Sequence, residues 1–535
     1  MKKINVLKYI FIIFVVVLIV YSVFFIKKQE KEVNEVQEEE TIVEEQETII
    51  KTLRLAAVNI DTLNPILSNN QNIQDISKLI YEPMLTITED FQIENCLAKE
   101  WISLSDTVYV VVLKEGVKWQ NGGEVTANDV KYTIEKIQEI GWNSIYYSNV
   151  QNIVNAEVLS TYTIKITIDR QIPFFEYYLT FPIMSVEYYN NEEEIINDNN
   201  APGTGKYFVN NITSTEIELK INQDWWGISE RELSLETILI KLYSSMGEVY
   251  NAFKMGSLDL ITTQSLNYEE YIGTMGYNIV EYIGREHDYL ALNCDSNLLK
   301  NSEVRLAINY AIDKSNIIAT AYENKYYIAD FPLSNSNYLY KIEKVSSTFN
   351  TNKSREVLEE NGWEFKSGGW AKTENYNTIR TYINFVVNDS DEGRIRTAEI
   401  IKKQLEDFGM TVNLMVVSDN QYNRYLENKN YDMILTGKLT GISPSLAGYI
   451  SDGNLSNFND DEIEELLYEA SDLTDNLTER EVKYKKVIKL IDEERPFISL
   501  YFSRNTIIYN PELQGNIKPN YYNIFYNIED WIRKY

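Results

Sequence analysis

From Tyr9 to Ile26 the chain reads YIFIIFVVVLIVYSVFFI, eighteen residues without a charge. In hydrocarbon every backbone N–H and C=O must be satisfied within the segment, so such a run has one low-energy form there, a helix about 27 Å long. That length matches a bilayer core of roughly 30 Å. Lys2, Lys3 and Lys8 precede the run, which ends in Val-Phe-Phe-Ile-Lys-Lys with no A-x-A pattern and no cysteine for lipid attachment. The expectation is an uncleaved signal anchor, a transmembrane helix over 1–28, with a cleaved signal peptide as the alternative. Lysines flank both ends, so charge alone leaves the orientation open. Residues 29–50 carry nine glutamates and few small apolar residues, the composition of an acidic, disordered, charge-extended linker. The folded part should begin near Lys51.

A chain of 535 residues exceeds a single ordinary core, and two or three domains are expected. Fifty Lys and Arg against 80 Asp and Glu leave a net charge of -30, which repels nucleic acid and anionic lipid surfaces. Forty tyrosines supply amphipathic material for pocket walls. The two cysteines, Cys96 and Cys294, are not spaced as a metal or redox pair and read as small buried hydrophobes; a disulfide between them stays open. The single histidine, His287, removes most metalloenzyme and Ser-His-Asp schemes, because each needs a positioned imidazole. It reads as a strand-end residue. No H-E-x-x-H, G-x-x-x-x-G-K-[ST] or G-x-S-x-G occurs. Gly203-Thr204-Gly205 is too short for a nucleotide loop and reads as a tight turn, while Trp119 and Trp225-Trp226 read as core or turn anchors. No cofactor and no metal site are expected.

The run LAKEWISLSDTVYVVVLKEGVKWQNGGEVTANDVKYTIEKI, Leu97 to Ile137, packs a strand, turns and a helix start into a short span. Tyr109 to Leu113 is wholly apolar and fits a strand covered on both faces. Thr126 with Asp129 has the shape of a capping box, after which Val130, Ile134 and Ile137 recur at helical spacing. Pro202-Gly203-Thr204-Gly205 breaks the chain before two alternating strands and marks a passage between domains. From Asp288 strands and helices alternate. SEVRLAINYAIDKSNIIATAY reads as helical, with Val304, Ile308 and Ala311 on one face. INFVV, the helix GRIRTAEIIKKQLEDFG closed by Gly409, TVNLMVV, a short helix and YDMIL make a β-α-β-α-β succession, hence an α/β domain. A helix capped by Thr478 and Glu481 precedes the strand FISLYF.

The block from Leu97, with its L-A-x-x-W start and G-V-x-W-x-N-G-x-x-V-T-A-x-D-V continuation, resembles the signature of the extracellular solute-binding proteins of ABC importers, in the oligopeptide/dipeptide/nickel-binding family. LNPILSNN with LIYEPMLTI, PGTGKYFV, INQDWWG, DYLALNCDSNLLKNSEVRLAINYAIDKSNII and RPFISLYF resemble further family motifs in order, from about Leu53 to Tyr535. The resemblance implies an α/β, two-lobed hinged clamp like a periplasmic binding protein, with an extra inserted domain. Domain I would comprise 51–80, 205–286 and 499–535, the inserted domain II 81–204, and domain III 287–498. The Leu97 block would then be scaffold for one lobe, with no need to touch ligand.

What the resemblance implies about function is ligand capture between closing lobes, and delivery of peptides or a related small solute to an ABC transporter permease. Family members that bind peptides often hold the ligand's α-amino group on an aspartate in a W-x-x-D-Y-x-[DE]-P segment. This chain reads YDMILTGKLTGISPSLAGYI there, and aligning Pro444 puts Thr440 in the aspartate's place and Gly437 in the tryptophan's. Thr440, Gly441 and Ser443 are the candidate ligand-binding residues of this segment, and Asn59 and Asn293 are carried over from pocket-lining and lobe-crossing positions. The protein is expected to be a monomer, tethered on the extracellular face of the cell membrane and not an enzyme. Two other readings stay open: a surface receptor for a peptide signal not coupled to import, and an extracellular hydrolase using a carboxylate pair. Nickel on histidine ligands is disfavoured by the single imidazole, although a metal carried by a chelator would not need more.

Overall fold

The computed structural model describes residues 2–38, 49–189, 202–228, 233–341, 345, 348–472 and 477–534. Residues Ile50–Arg533 form one compact unit, described apart from Met1–Ile49 with Lys534–Tyr535. In the latter, Lys2–Glu38 is a single helix. Its stretch Ile10–Lys28 has a mean hydropathy of 2.9 and is long and apolar enough to cross a membrane. Residues 29–38, expected to belong to a disordered linker, are helical instead: Glu and Gln are good helix formers, and extending an existing helix needs no new nucleus. The rest of that linker, 39–48, lies outside the described residues.

In the compact unit, the first lobe is built on a four-stranded sheet. Thr52–Val58 runs parallel to Thr237–Tyr243, which pairs antiparallel with Glu216–Ile221 and through it with Tyr207–Ile212. Leu53, Leu55 and Ala57 face the core. On it lies the helix Gln71–Ile80, started by the Asn70 side chain accepting from the Asn72 amide (2.9 Å). Ile73, Ile76, Leu79 and Ile80 are its core face. The Gly203–Gly205 turn closes over the end of this helix, with the Gly205 amide donating to the Ile80 carbonyl (2.8 Å). A Cβ on Gly203 would lie 1.8 Å from that oxygen, so only glycine fits.

The Leu97 block forms the strands Ala98–Ser105 and Val108–Leu113, which with Thr163–Ile168 and Ile153–Ser160 make a four-stranded antiparallel sheet. Tyr109, Val111 and Leu113 are buried but Val110 and Val112 are only half-buried, so the strand is not covered on both faces. An antiparallel sheet can leave one face partly open, and this one does. The capping box forms as expected: the Asp129 carboxylate accepts from the Thr126 amide (2.8 Å) ahead of the helix Ala127–Ile140, whose Val130, Ile134 and Ile137 are buried.

The second lobe carries the β-α-β-α-β succession. Tyr382–Asn388, Thr411–Val417 and Met433–Leu439 run parallel, connected by the helices Glu392–Asp407 and Asp419–Asn428. The run from Ser302 is two helices, Ser302–Ala311 and Lys314–Tyr322, because the Asp313 carboxylate caps the second by accepting from the Asn316 amide (3.0 Å). Helix Leu477–Glu494 already includes Leu477, so Thr478 stands inside its first turn and does not cap it. A small antiparallel sheet, Glu364–Lys366, Gly369–Glu374 and Asn377–Arg380, was not foreseen from the sequence.

Two long strands cross between the lobes. Asn278–Leu292 and Phe497–Tyr509 pair antiparallel from Asn278↔Tyr509 to Ile283↔Arg504 and again from His287↔Phe502, the ladder breaking between Ile283 and His287. Gly284 stands in the break, where a Cβ would lie 2.3 Å from the Ser503 hydroxyl. His287 is therefore inside a strand and not at its end. It is buried, stacked on Tyr289, and bonded at Nδ1 to the Tyr449 hydroxyl (3.0 Å), and burial lowers its pKa to about 3. Both cysteines are free thiols. The lobes also share an aromatic core in which Phe91, Phe174 and Tyr177 meet Tyr338 and Tyr484.

Candidate ligand-binding cleft

The helix Gln71–Ile80 has a second face. Gln71, Gln74, Asp75 and Lys78 recur at i, i+3, i+4 and i+7, so they form one polar stripe opposite the isoleucines. That stripe lines a cleft of two chambers that share Gln71, Arg285 and Tyr521. The larger, about 770 Å³, is bounded by Asp75, Tyr250, Tyr271, Tyr282, Glu286 and Asn505 among others. The smaller, about 320 Å³, is bounded by Lys78, Tyr146, Tyr177, Tyr178, Gly441 and Tyr522 among others. These volumes fall within the range of about 300–1,000 Å³ usual for small-ligand sites. No residue from 97 to 137 borders either chamber, in keeping with a scaffolding role for the Leu97 block.

The walls are held by hydrogen bonds. The Gln74 amide nitrogen donates to the carbonyls of Pro65 and Ser68 (both 2.8 Å), which aims its oxygen at the Tyr146 hydroxyl (2.7 Å). The Tyr521 hydroxyl donates to the Gly441 carbonyl (3.0 Å), and its ring packs on Phe91 with centroids 4.8 Å apart. The Gln71 amide donates to Asp75 (2.9 Å). Burial pushes the Asp75 carboxyl up to about 6, although Lys78 and the Gln71 bond pull the other way. Burial lowers the Lys78 ammonium, Asp75 opposes this, and the charge of Arg285 adds to the lowering.

Of the five residues expected to contact ligand, three come together. Gly441 and Ser443 border the smaller chamber. Thr440 adjoins them at the rim, but its groups are engaged: amide and hydroxyl donate to the Arg285 carbonyl (2.7 and 3.0 Å), and its carbonyl accepts from Arg285 Nε (3.1 Å). Asn59 borders neither chamber; it turns the chain at φ 48°, and its carbonyl accepts from the Asn70 side chain (2.9 Å). Asn293 is buried in the second lobe and fully used there, its amide donating to the Lys429 and Tyr431 carbonyls (3.0 and 2.8 Å) and its oxygen accepting from Asn457 (3.0 Å). At Gly437, the tryptophan position of the motif, a Cβ would lie 2.0 Å from Arg394 Nη2. The Arg394 guanidinium fills that space and forks onto Asp288 (2.7 and 2.8 Å).

Trp119 and Trp225 are buried core anchors as expected and Trp226 packs beside them, with Trp225 and Trp226 also donating their indole N–H to the buried Glu82 carboxylate (2.9 and 2.8 Å). Among the described residues no group of three His, Cys, Asp or Glu is placed to hold a metal ion.

Two lobes joined by paired strands, with a polar and tyrosine-lined cleft at the junction, define a ligand-capturing clamp. Residues 92–459 match the family described as bacterial extracellular solute-binding proteins, family 5 Middle, and the chain belongs to that family. It is similar to the oligopeptide-binding protein AppA of Bacillus subtilis, 22% identical over 88% of this chain and 89% of the relative. The nickel-binding periplasmic protein of Escherichia coli is 23% identical over 86% and 90%. Among solved structures, the unliganded open form of the murein tripeptide-binding protein MppA superposes with a TM-score of 0.79 at 17% identity, covering 91% of this chain and 99% of that one.

Proposed function

We propose that the chain is a membrane-tethered extracellular solute-binding protein, which captures a peptide or related small solute between its lobes and hands it to the permease of an ABC importer. The cleft carries this reading: its chambers are roomy, lined by side-chain amides, hydroxyls and aromatic rings, and suited to main-chain groups of many solutes. The helix Ile10–Lys28 supplies the tether to the cell membrane, with the compact unit on the extracellular face. On this reading domain I comprises 51–80, 205–286 and 499–535, domain II 81–204 and domain III 287–498, and the protein works as a monomer. The names of its relatives span oligopeptide and nickel binding, which supports a small-solute role and leaves the solute to experiment.

The test is native mass spectrometry of residues 51–535, as purified and after mild unfolding and refolding. A heterogeneous added mass on the order of several hundred daltons, lost on refolding, is the expected result. A chain that purifies bare and stays bare when offered a peptide mixture overturns the peptide assignment.

A further inference from the structure

The chain carries a net charge of -30, yet no Asp or Glu borders the smaller chamber. Two cations do, Lys78 from the helix Gln71–Ile80 and Arg285 from the break in the crossing strand. They are near enough to act on each other's charge. Neither makes an ion pair with a carboxylate among the described residues: Lys78 Nζ donates to the Gln74 carbonyl (3.2 Å), and Arg285 Nε to that of Thr440 (3.1 Å). Asp75, one turn back on the same helix, is the acid that acts on the Lys78 charge, but it borders the larger chamber and bonds Gln71, so both cations stay open to charge-assisted bonds from an anionic ligand group in the smaller one. The side chain at Thr440 is neutral and its hydroxyl proton goes to the Arg285 carbonyl, so that position supplies no carboxylate to pair with an ammonium group. The carboxylates of the cleft, Asp75 and Glu286, border the larger chamber.

We propose that the smaller chamber is a carboxylate-binding subsite: a carboxylate of the bound solute sits between the Lys78 ammonium and the Arg285 guanidinium, and the rest of the molecule extends into the larger chamber. This rests on the solute-binding reading above and assigns polarity to it. For a peptide, the C-terminal end enters the smaller chamber. The guanidinium can take two carboxylate oxygens while the ammonium adds a point charge.

The experiment offers the full chain, purified in detergent and freed of captured solute by refolding, two sets of probes. One is a mixture of synthetic tetrapeptides in free, C-terminally amidated and N-acetylated forms; the other is a panel of small di- and tricarboxylates including citrate. Retention is read by native mass spectrometry and titration calorimetry. We expect amidation to weaken binding by about tenfold or more and N-acetylation to weaken it less. Lys78→Met and Arg285→Gln should each abolish the preference for the free acid, Lys78→Arg should restore part of it, and unchanged thermal unfolding shows that the variants are folded. Amides bound as well as acids, or acetylation costing as much as amidation, overturns the proposal while leaving the peptide reading intact. Carboxylates bound through Lys78 and Arg285, with no peptide bound in any form, supports the subsite and sinks the peptide reading. Binding of neither set overturns both.

Discussion

The lobes are pinned together by a buried charge pair whose removal is a sharp test of the packing described above. Glu176, in the turn Phe175–Leu179 of the first lobe, accepts from Arg480 Nη2 (2.9 Å) on the helix Leu477–Glu494 of the second. The glutamate side chain is 2% exposed and the arginine 13%. The guanidinium also lies over the Phe174 ring, 5.3 Å from its centroid, and donates to the Ala470 carbonyl (3.1 Å). Burial holds the Glu176 carboxyl above its usual range, with Arg480 opposing. Arg480→Met leaves that carboxylate buried without a counter-charge, a loss of about 3–5 kcal/mol. The lower end applies here, because Glu176 can escape by taking up a proton. A carboxyl raised in the folded state holds that proton more readily as pH falls, so the penalty should be largest at pH 7 and shrink toward pH 5. Removing both charges, as Glu176→Gln with Arg480→Met, should cost about 1 kcal/mol or less. Urea unfolding followed by tryptophan fluorescence at both pH values measures this, and small-angle scattering of the folded variant reports whether the lobes part. A single variant within about 1 kcal/mol of the parent at pH 7, or a double variant as unstable as the single, refutes the reasoning.

Two further predictions concern the helix Gln71–Ile80. With Asp75 lifted from 3.8 to about 6, the folded chain keeps a proton that the unfolded chain releases, so stability should fall by about 3 kcal/mol as pH rises through that interval. Asp75→Asn should flatten this part of the profile and be at least as stable as the parent at pH 7; a parental slope in the variant would exclude Asp75 as its source. Gly203→Ala would drive a methyl into the Ile80 carbonyl, and the thermal midpoint should drop by an amount equivalent to at least about 3 kcal/mol, whereas Gly122→Ala, where a Cβ meets nothing within 4 Å but φ is +93°, should cost roughly 1 kcal/mol.

What was legible in the sequence was local or strongly periodic. The Thr126–Asp129 box, the isoleucines after it, Gly409 closing its helix and the parallel succession from Tyr382 all depend on neighbours a few residues away. The break at Asp313 was hidden because an apolar period runs on both sides of it, and a half-open strand at Val110 reads like a covered one when every residue is apolar. The family resemblance located the rim at Thr440 to Ser443, but Asn59 and Asn293 turn out to hold backbone. Arg285 is brought to Lys78 by long-range topology, which no local pattern encodes. The stripe Gln71, Gln74, Asp75, Lys78 was readable: four polar side chains on one face of a helix whose other face is isoleucine and leucine have to front either water or a site.

The break between Ile283 and His287 bears on the entropy of ligand capture. Because the two crossing strands are paired on both sides of it, the lobes are tied to each other, and gathering them around a solute would forfeit a bending angle where two free bodies would lose translation and rotation. Arg285 and Gly284 stand inside that break, so a residue that borders the cleft is also part of the backbone that joins the lobes. A ligand group held by Arg285, as proposed, would therefore sit on the connection between the lobes, with the shortest possible lever between occupancy and any change in their angle.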